Sequence, residues 1–162
     1  MSSNSHLHAR GATRARGIPP SQWREQATAR LAESGHRAGG ARSAVVDLLA
    51  AEDCCLSAHE IFDALRAGGR RVGLASVYRA LEVLLRLGLV ARLDLGGGTA
   101  RYEAARGAEH HHHVVCVECG GVSSFEDRDL ERALEQVARR HDYTVDDHDV
   151  VLRGRCPVCR SD

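Results

Sequence analysis

The chain has 162 residues, of which 43% are apolar, and its formal net charge is zero. This length fits one domain or two small ones. No run of eighteen or more apolar residues predicts a membrane span, and no apolar stretch at the N-terminus reads as a secretory signal. A cytoplasmic protein is therefore expected, in which the six cysteines stay reduced and read as metal ligands before disulfides. The charge is uneven. Residues 1–95 hold 13 Arg against 9 Asp and Glu, and residues 96–162 hold 9 Arg against 13. A basic front and an acidic back point to an anionic partner for the first half only.

Residues 1–19 are polar, lack periodicity and read as a disordered tail. Ser21 is expected to cap a first helix carrying Trp23, Ala27 and Leu31 on one side. Val45, Leu48 and Leu49 mark a second helix, and Ser57 with Glu60 forms a capping-box pattern opening a third that buries Ile61, Phe62 and Leu65. A fourth helix, about 74–87, turns Leu74, Val77, Leu81 and Leu84 or Leu85 inward. Ser76, Arg79, Glu82, Val83 and Arg86 are expected on its outer face. Residues 89–95, a triple-glycine turn and 99–103 then read as a β-hairpin.

Helices followed by a hairpin make a winged helix-turn-helix, which inserts its later helix into the major groove of DNA. Arg79 suits base edges or phosphates through its planar donor fork. Tyr78 sits at the edge of the apolar stripe, where it either reaches DNA or covers the core.

Residues 104–109 read as a hinge. Beyond it, strands are expected at 110–116, 122–126 and 144–155, with a helix at about 129–141 whose acidic first turn and basic last turn match the helix dipole. This portion is too small to bury a full core alone, so zinc and dimerisation are the expected remedies. The fold class is thus α+β. It comprises a winged-helix domain over 20–103, the hinge, and a small α/β metal-binding and dimerisation domain over 110–162.

Three metal sites are expected. Cys116, Cys119, Cys156 and Cys159 form two CxxC pairs, the ligand set of a closed structural zinc. Alternation along a strand divides the four histidines between two faces. His111 and His113 join Glu103, with Cys55 as a possible fourth ligand and His59 as its alternative; Cys54 reads as a buried apolar residue. His110 and His112 join Glu131 and His148 in a third site. A zinc hydrolase is the competing class, with Glu109 or Glu118 as general base. It lacks an HExxH helix, and the ligand sets look closed rather than open. A zinc-ribbon adaptor is a third reading, but it leaves the Ser76 and Arg79 face without a task.

Over about residues 35–160 the chain resembles the ferric uptake regulator superfamily of metal-responsive bacterial repressors. The resemblance rests on GLASVYR from Gly73 to Arg79, on HHHHVVCVECG from His110 to Gly120, and on His148 with GRCPVC from Gly154 to Cys159. It implies a homodimer that binds palindromic operator DNA when metallated. It also implies repression of metal-uptake or stress genes, with a structural zinc on the four cysteines and regulatory iron or zinc at the hinge.

The family's sensor residues carry over to Glu103, His111 and His113. The family's histidine from the DNA-binding domain falls on Cys55, and a further carboxylate falls on Ser124. The third site falls on His110, His112, Glu131 and His148, with His112 where many iron regulators have aspartate. Arg42 matches a DNA-contacting position, whereas the Thr and Pro before it fall on Gly40 or Gly39 and Ala41. A thiol at Cys55 and the loss of a carboxylate at Ser124 favour zinc, while Glu103 follows the iron pattern. Peroxide sensing would need iron beside oxidisable histidines, which the thiol disfavours.

Overall fold

The computed structural model describes residues 17–36, 39–96, 98–107 and 111–160. They divide into two compact units, one from 17 to 107 and the other from 111 to 160. Among the described residues no helix is long and apolar enough to cross a membrane. The proposed tail falls mostly outside these residues, but Ile18 does not behave as tail. It packs against the core, and its N–H donates to Arg106 O at 2.9 Å.

The N-terminal unit carries helices α1 (Pro20–Glu33), α2 (Gly40–Ala51), α3 (Ala58–Ala67) and α4 (Leu74–Arg86). Its strands are β1 (Leu56–Ser57), β2 (Val90–Leu93) and β3 (Arg101–Ala104). Ser21 does not cap α1. The helix begins two residues earlier than that cap implies, with Pro20 at its first position and Pro19 as the N-cap, because proline's fixed φ and missing N–H suit a helix start. Trp23, Ala27 and Leu31 are buried as expected, and the Trp23 indole donates to Leu89 O at 3.1 Å.

Helix α4 is packed by α2 and α3 and followed by β2. That encirclement widens its buried arc, so Val83, expected outside, is 6% exposed, alongside Val77, Ala80, Leu81 and Leu84. Phe62 on α3 is only partly buried, and the Arg66 guanidinium lies 5.4 Å from its ring centre.

The hairpin β2–β3 is antiparallel and gains a third strand in β1, in the order β1-β3-β2. Two residues of β1 carry no periodicity to read, which is why the sequence does not announce them. The β1 register leads straight into the α3 capping box. Ser57 Oγ accepts from Glu60 N at 3.2 Å, and Ser57 N donates to Glu60 Oε2 at 2.7 Å. Arg101 on β3 grips the same carboxylate with two nitrogens, at 3.1 and 3.3 Å. Burial pushes the Glu60 carboxyl up, but these donors outweigh it and hold it below the usual carboxylate range.

A depressed folded pKa gives stability that is present above the unfolded value and lost as pH falls through the folded one. Glu60→Gln should therefore melt below the parent protein at neutral pH. The gap should close as the pH drops beneath about 4.3, the ordinary glutamate value. Thermal melts between pH 7 and pH 3 check this.

Past β3 the chain stays attached to the N-terminal unit. Ala105 N donates to Leu89 O at 3.0 Å, and Arg106 Nη2 reaches the carbonyls of Leu49, Ala50 and Glu52 at 3.0, 2.8 and 2.9 Å. These are the free carbonyls at the end of α2, where a cation is favoured.

The C-terminal unit holds β4 (His112–Cys116), β5 (Val122–Phe125), α5 (Arg128–Arg140), β6 (Val151–Gly154) and the short α6 (Pro157–Arg160). The sheet order is β5-β4-β6, antiparallel for β4·β5 and parallel for β4·β6. The strand expected at 144–155 shrinks to 151–154, because only those residues face a partner strand on β4. Strand β4 starts at His112 rather than at 110, and His110 lies outside the described residues. Among the described residues of this unit only His112, His113, Cys116 and Val122 are buried, and α5 buries none.

Candidate metal centres and DNA-binding surface

The four-cysteine cluster forms where β4 and β6 end. Their parallel register sets Cys116 opposite Gly154, and Val117 N donates to Gly154 O at 2.8 Å. Gly120 turns the first knuckle with φ +70°, a left-handed conformation that glycine adopts freely. Its N–H donates back to Cys116 O at 2.9 Å. The four sulfurs lie within 4.8 Å of one another, with Cys119 and Cys156 at 3.9 Å. A tetrahedral zinc with Zn–S of about 2.3 Å requires S···S edges of about 3.8 Å.

Backbone N–H groups already point at sulfur, Cys156 N to Cys116 Sγ at 3.4 Å and Cys159 N to Cys156 Sγ at 3.5 Å. The N–H groups of Cys119, Cys156 and Glu118 bring the Cys116 thiol down to about 6 against the effect of burial. Cys159 shares a hydrogen bond with Cys156 and is pushed up to about 12. The donor set fits a divalent, thiophilic ion, which takes the place of the thiol protons.

The second cluster lies on one face of the same sheet. His112 is 1% exposed, and its Nε2 lies 2.7 Å from Glu131 Oε1. His148 Nε2 lies 3.1 Å from the other oxygen of that carboxylate, and the two imidazole rings are 5.4 Å apart. Glu131 is delivered by the first turn of α5, which Asp127 caps through Asp129 N at 2.8 Å and Leu130 N at 3.0 Å. Burial pushes the Glu131 carboxyl up. The His112 hydrogen bond and the charges of His148 and His112 outweigh it and hold it below the usual range. It is thus a carboxylate, the form that ligates metal. One carboxylate between two imidazoles is a donor set that suits zinc or iron(II).

The expected sensor residues fall into two pairs, each built within its own unit. In the C-terminal unit the rings of His111 and His113 meet edge to face at 5.1 Å, and Ser124 is the cross-strand partner of His113. In the N-terminal unit Leu56 pairs with Tyr102. Carrying that register back one residue sets Cys55 beside Glu103. The Cys55 backbone oxygen accepts from Arg101 Nη1 at 3.3 Å. The hydrogen bond with Cys54, burial, and the negative charges of Cys54 and Glu103 push the Cys55 thiol far up, with Arg101 opposing. Cys54, expected to be buried, is only half-buried. His59 is exposed and meets Tyr78 edge to face at 6.4 Å.

On α4 the outward side is polar. Arg79 is exposed and donates from Nη2 to Ser76 Oγ at 3.1 Å, while Tyr78 is 41% exposed and does not cover the core. Arg42, half-buried, lies in the first turn of α2.

A winged helix with an exposed polar recognition face, on a chain rich in thiolate and imidazole clusters, defines the class of metal-responsive DNA-binding regulators. The model of the ferric uptake regulator family matches residues 33–153. The ferric uptake regulation protein of Legionella pneumophila is 41% identical over 105 residues, 65% of this chain and 76% of that protein. The Helicobacter pylori ferric uptake regulator, whose structure is described as revealing three functional metal-binding sites, superposes with a TM-score of 0.76 at 26% identity, covering 90% of this chain and 97% of that one. The Pseudomonas aeruginosa ferric uptake regulator with manganese superposes with a TM-score of 0.60 at 32% identity, covering 81% and 98%. Other solved relatives hold iron or zinc.

The chain belongs to the ferric uptake regulator family. It is a metal-responsive transcriptional regulator and not an enzyme, so the hydrolase and adaptor alternatives give way.

Sequence reasoning missed Arg101 and Arg106. Each works on groups some fifty residues away in the chain, and a single arginine carries no local signal of its partner.

Proposed function

We propose that this chain is a homodimeric repressor of metal-uptake or metal-homeostasis genes in the cytoplasm. In this reading Cys55, Glu103, His111 and His113 hold a regulatory iron(II) or zinc. His110, His112, Glu131 and His148 hold a further ion, and the four cysteines hold structural zinc. A divalent ion supplies coordinate bonds shared by donors from both units. Cys55 and Glu103 orient the base of the wing, and His111 and His113 orient the start of the sheet. Of the hinge expected over 104–109, residues 104–106 are held by the N-terminal unit, so restricting the chain after Arg106 would set the angle at which Arg42, Ser76, Tyr78 and Arg79 meet the duplex.

The observation that carries the reading is the β1·β3 register, Leu56 with Tyr102, which continued by one residue sets Cys55 beside Glu103, whose charge acts on the Cys55 thiol. Dimerisation through the C-terminal unit is supported by its thin core and by its uncovered apolar residues. Val114 and Leu152 are paired in register and are 37% and 51% exposed, and Val137 on α5 is 44% exposed.

A ligand moves a conformational equilibrium only through its difference in affinity for the two states. Coupling of about 1–3 kcal/mol corresponds to roughly 5- to 150-fold in operator affinity. His111→Ala should abolish that metal-dependent gain while the four-cysteine zinc stays bound. Operator titrations with and without iron(II), zinc(II) or manganese(II) read it, and an unchanged metal response in this variant overturns the sensor assignment.

A further inference from the structure

Cys54 is claimed by none of the three metal sites, yet it stands next to one of their donors. Its Sγ is 3.9 Å from Cys55 Sγ. The two are not joined by a disulfide, since this separation is far beyond the S–S bond of about 2.05 Å. It is the same distance as Cys119 Sγ to Cys156 Sγ in the four-cysteine cluster. In both places it matches the S···S edge of about 3.8 Å in a tetrahedral thiolate shell. Adjacent side chains in an extended strand diverge to opposite faces. Here the pair precedes β1 in a non-strand segment, and the two sulfurs converge. The backbone carrying them is held by Arg101, whose Nη1 donates to Cys55 O at 3.3 Å while its fork grips Glu60.

We propose that Cys54 is a second thiolate ligand of the regulatory centre, making that centre selective for soft divalent ions of the zinc and cadmium class. This rests on the reading in which Cys55 is a sensor ligand. The chemistry compensates for a loss elsewhere. Ser124, where the family places a carboxylate, offers no anionic donor, and Cys54 supplies one. A second thiolate raises the preference for zinc or cadmium over manganese and iron(II), which favour oxygen and nitrogen. The Glu103 carboxylate alone pulls toward the harder ions, and two sulfurs outweigh it.

The test uses full-length protein carrying its four-cysteine zinc, titrated with one further equivalent of cadmium(II) under reducing conditions. The ultraviolet thiolate-to-cadmium absorption should correspond to two thiolates, and it should fall by about half in Cys54→Ser and in Cys55→Ser alike. Zinc-over-manganese preference in Cys54→Ser should fall at least about tenfold, since loss even of outer partners costs about 10- to 100-fold in affinity. Cys54→Ala, which removes any substitute hydroxyl, should match Cys54→Ser. If both Cys54 variants keep the parent's absorption and selectivity while Cys55→Ser loses them, the inference is overturned and the sensor assignment survives. If Cys55→Ser also behaves as the parent, both fall. Thermal melts verify that each variant is folded; a half-buried Cys54 leaves room for serine and alanine.

Discussion

Cys156→Ser will unfold the C-terminal unit and leave the winged helix standing. Among the described residues the C-terminal unit buries only His112, His113, Cys116 and Val122, and its long helix buries nothing. Domains of ordinary size are stable by about 5–15 kcal/mol, and this unit lacks the apolar burial to reach that alone. A structural zinc in a small peptide contributes about 10–16 kcal/mol at neutral pH, so with the proposed zinc in place metal affinity would supply most of the unit's stability. Cys156 is central to the cluster. Its sulfur is 3.9 Å from Cys119 Sγ, and its own N–H donates to Cys116 Sγ. Losing it removes a donor of the proposed zinc site and loosens the anchor of β6. The expected result is rapid proteolysis and hydrogen exchange over residues 111–160, and dissociation of the dimer in sedimentation. A cooperative melt should persist from the N-terminal unit, whose core of Trp23, Val45, Leu49, Ile61, Leu81 and Leu84 is independent of metal. If the variant retains protected amides in β4 and β6, the zinc is not what holds this unit.

Arg79→Ala will weaken operator binding even in fully metallated protein. Arg79 is exposed and, among the described residues, its side chain bonds within its own helix turn, to Ser76 Oγ, so the substitution should leave stability essentially unchanged. A bidentate base contact is worth about 1–3 kcal/mol, roughly 5- to 150-fold for each recognition helix. A phosphate contact instead weakens all sequences uniformly and reduces the salt slope by about 0.9 for each phosphate lost. Operator titrations at several salt concentrations, with the operator mutated one base pair at a time, distinguish the two. Relaxed preference at one position assigns Arg79 to a base, and uniform loss assigns it to the backbone. No loss at all would place the reading surface elsewhere on the winged helix. The contrast with His111→Ala is diagnostic, because that variant should lose the metal response and keep the metal-free affinity.

The helices were legible because their signals are local. Leu49, Ile61, Val77, Leu81 and Leu84 recur at helical spacing, and Ser57 with Glu60 spells out a reciprocal cap that the structure forms with both hydrogen bonds present. Local reading failed where a neighbour decided the outcome. Val83 is polar-side by period but buried because helices pack on two sides of α4. The stretch 144–150 carries three aspartates, which disfavour a strand, so the residues paired with β4 run only from 151 to 154. Among the candidate ligands, the clustering of the CxxC pairs was legible because two residues of spacing already bring both sulfurs of a pair together. Glu131 and His148 could be named only as candidates. Their convergence on His112 depends on the docking of α5 and on the parallel return of β6.

The amino-acid sequence by itself determined the inventory of this protein: four helices and a wing with an arginine-bearing recognition face, and a thiolate and imidazole set for divalent ions. Those follow from periodicity, capping chemistry and short ligand spacings, all of which act over a few residues. Tertiary structure decided which donors come together. The short β1 strand carries Cys55 to Glu103, Arg101 ties that segment to the α3 cap, and two adjacent sulfurs are turned toward each other. Pairing of distant strands is specified by hydrogen-bond register and burial across the whole unit, so a local stretch of sequence does not contain it.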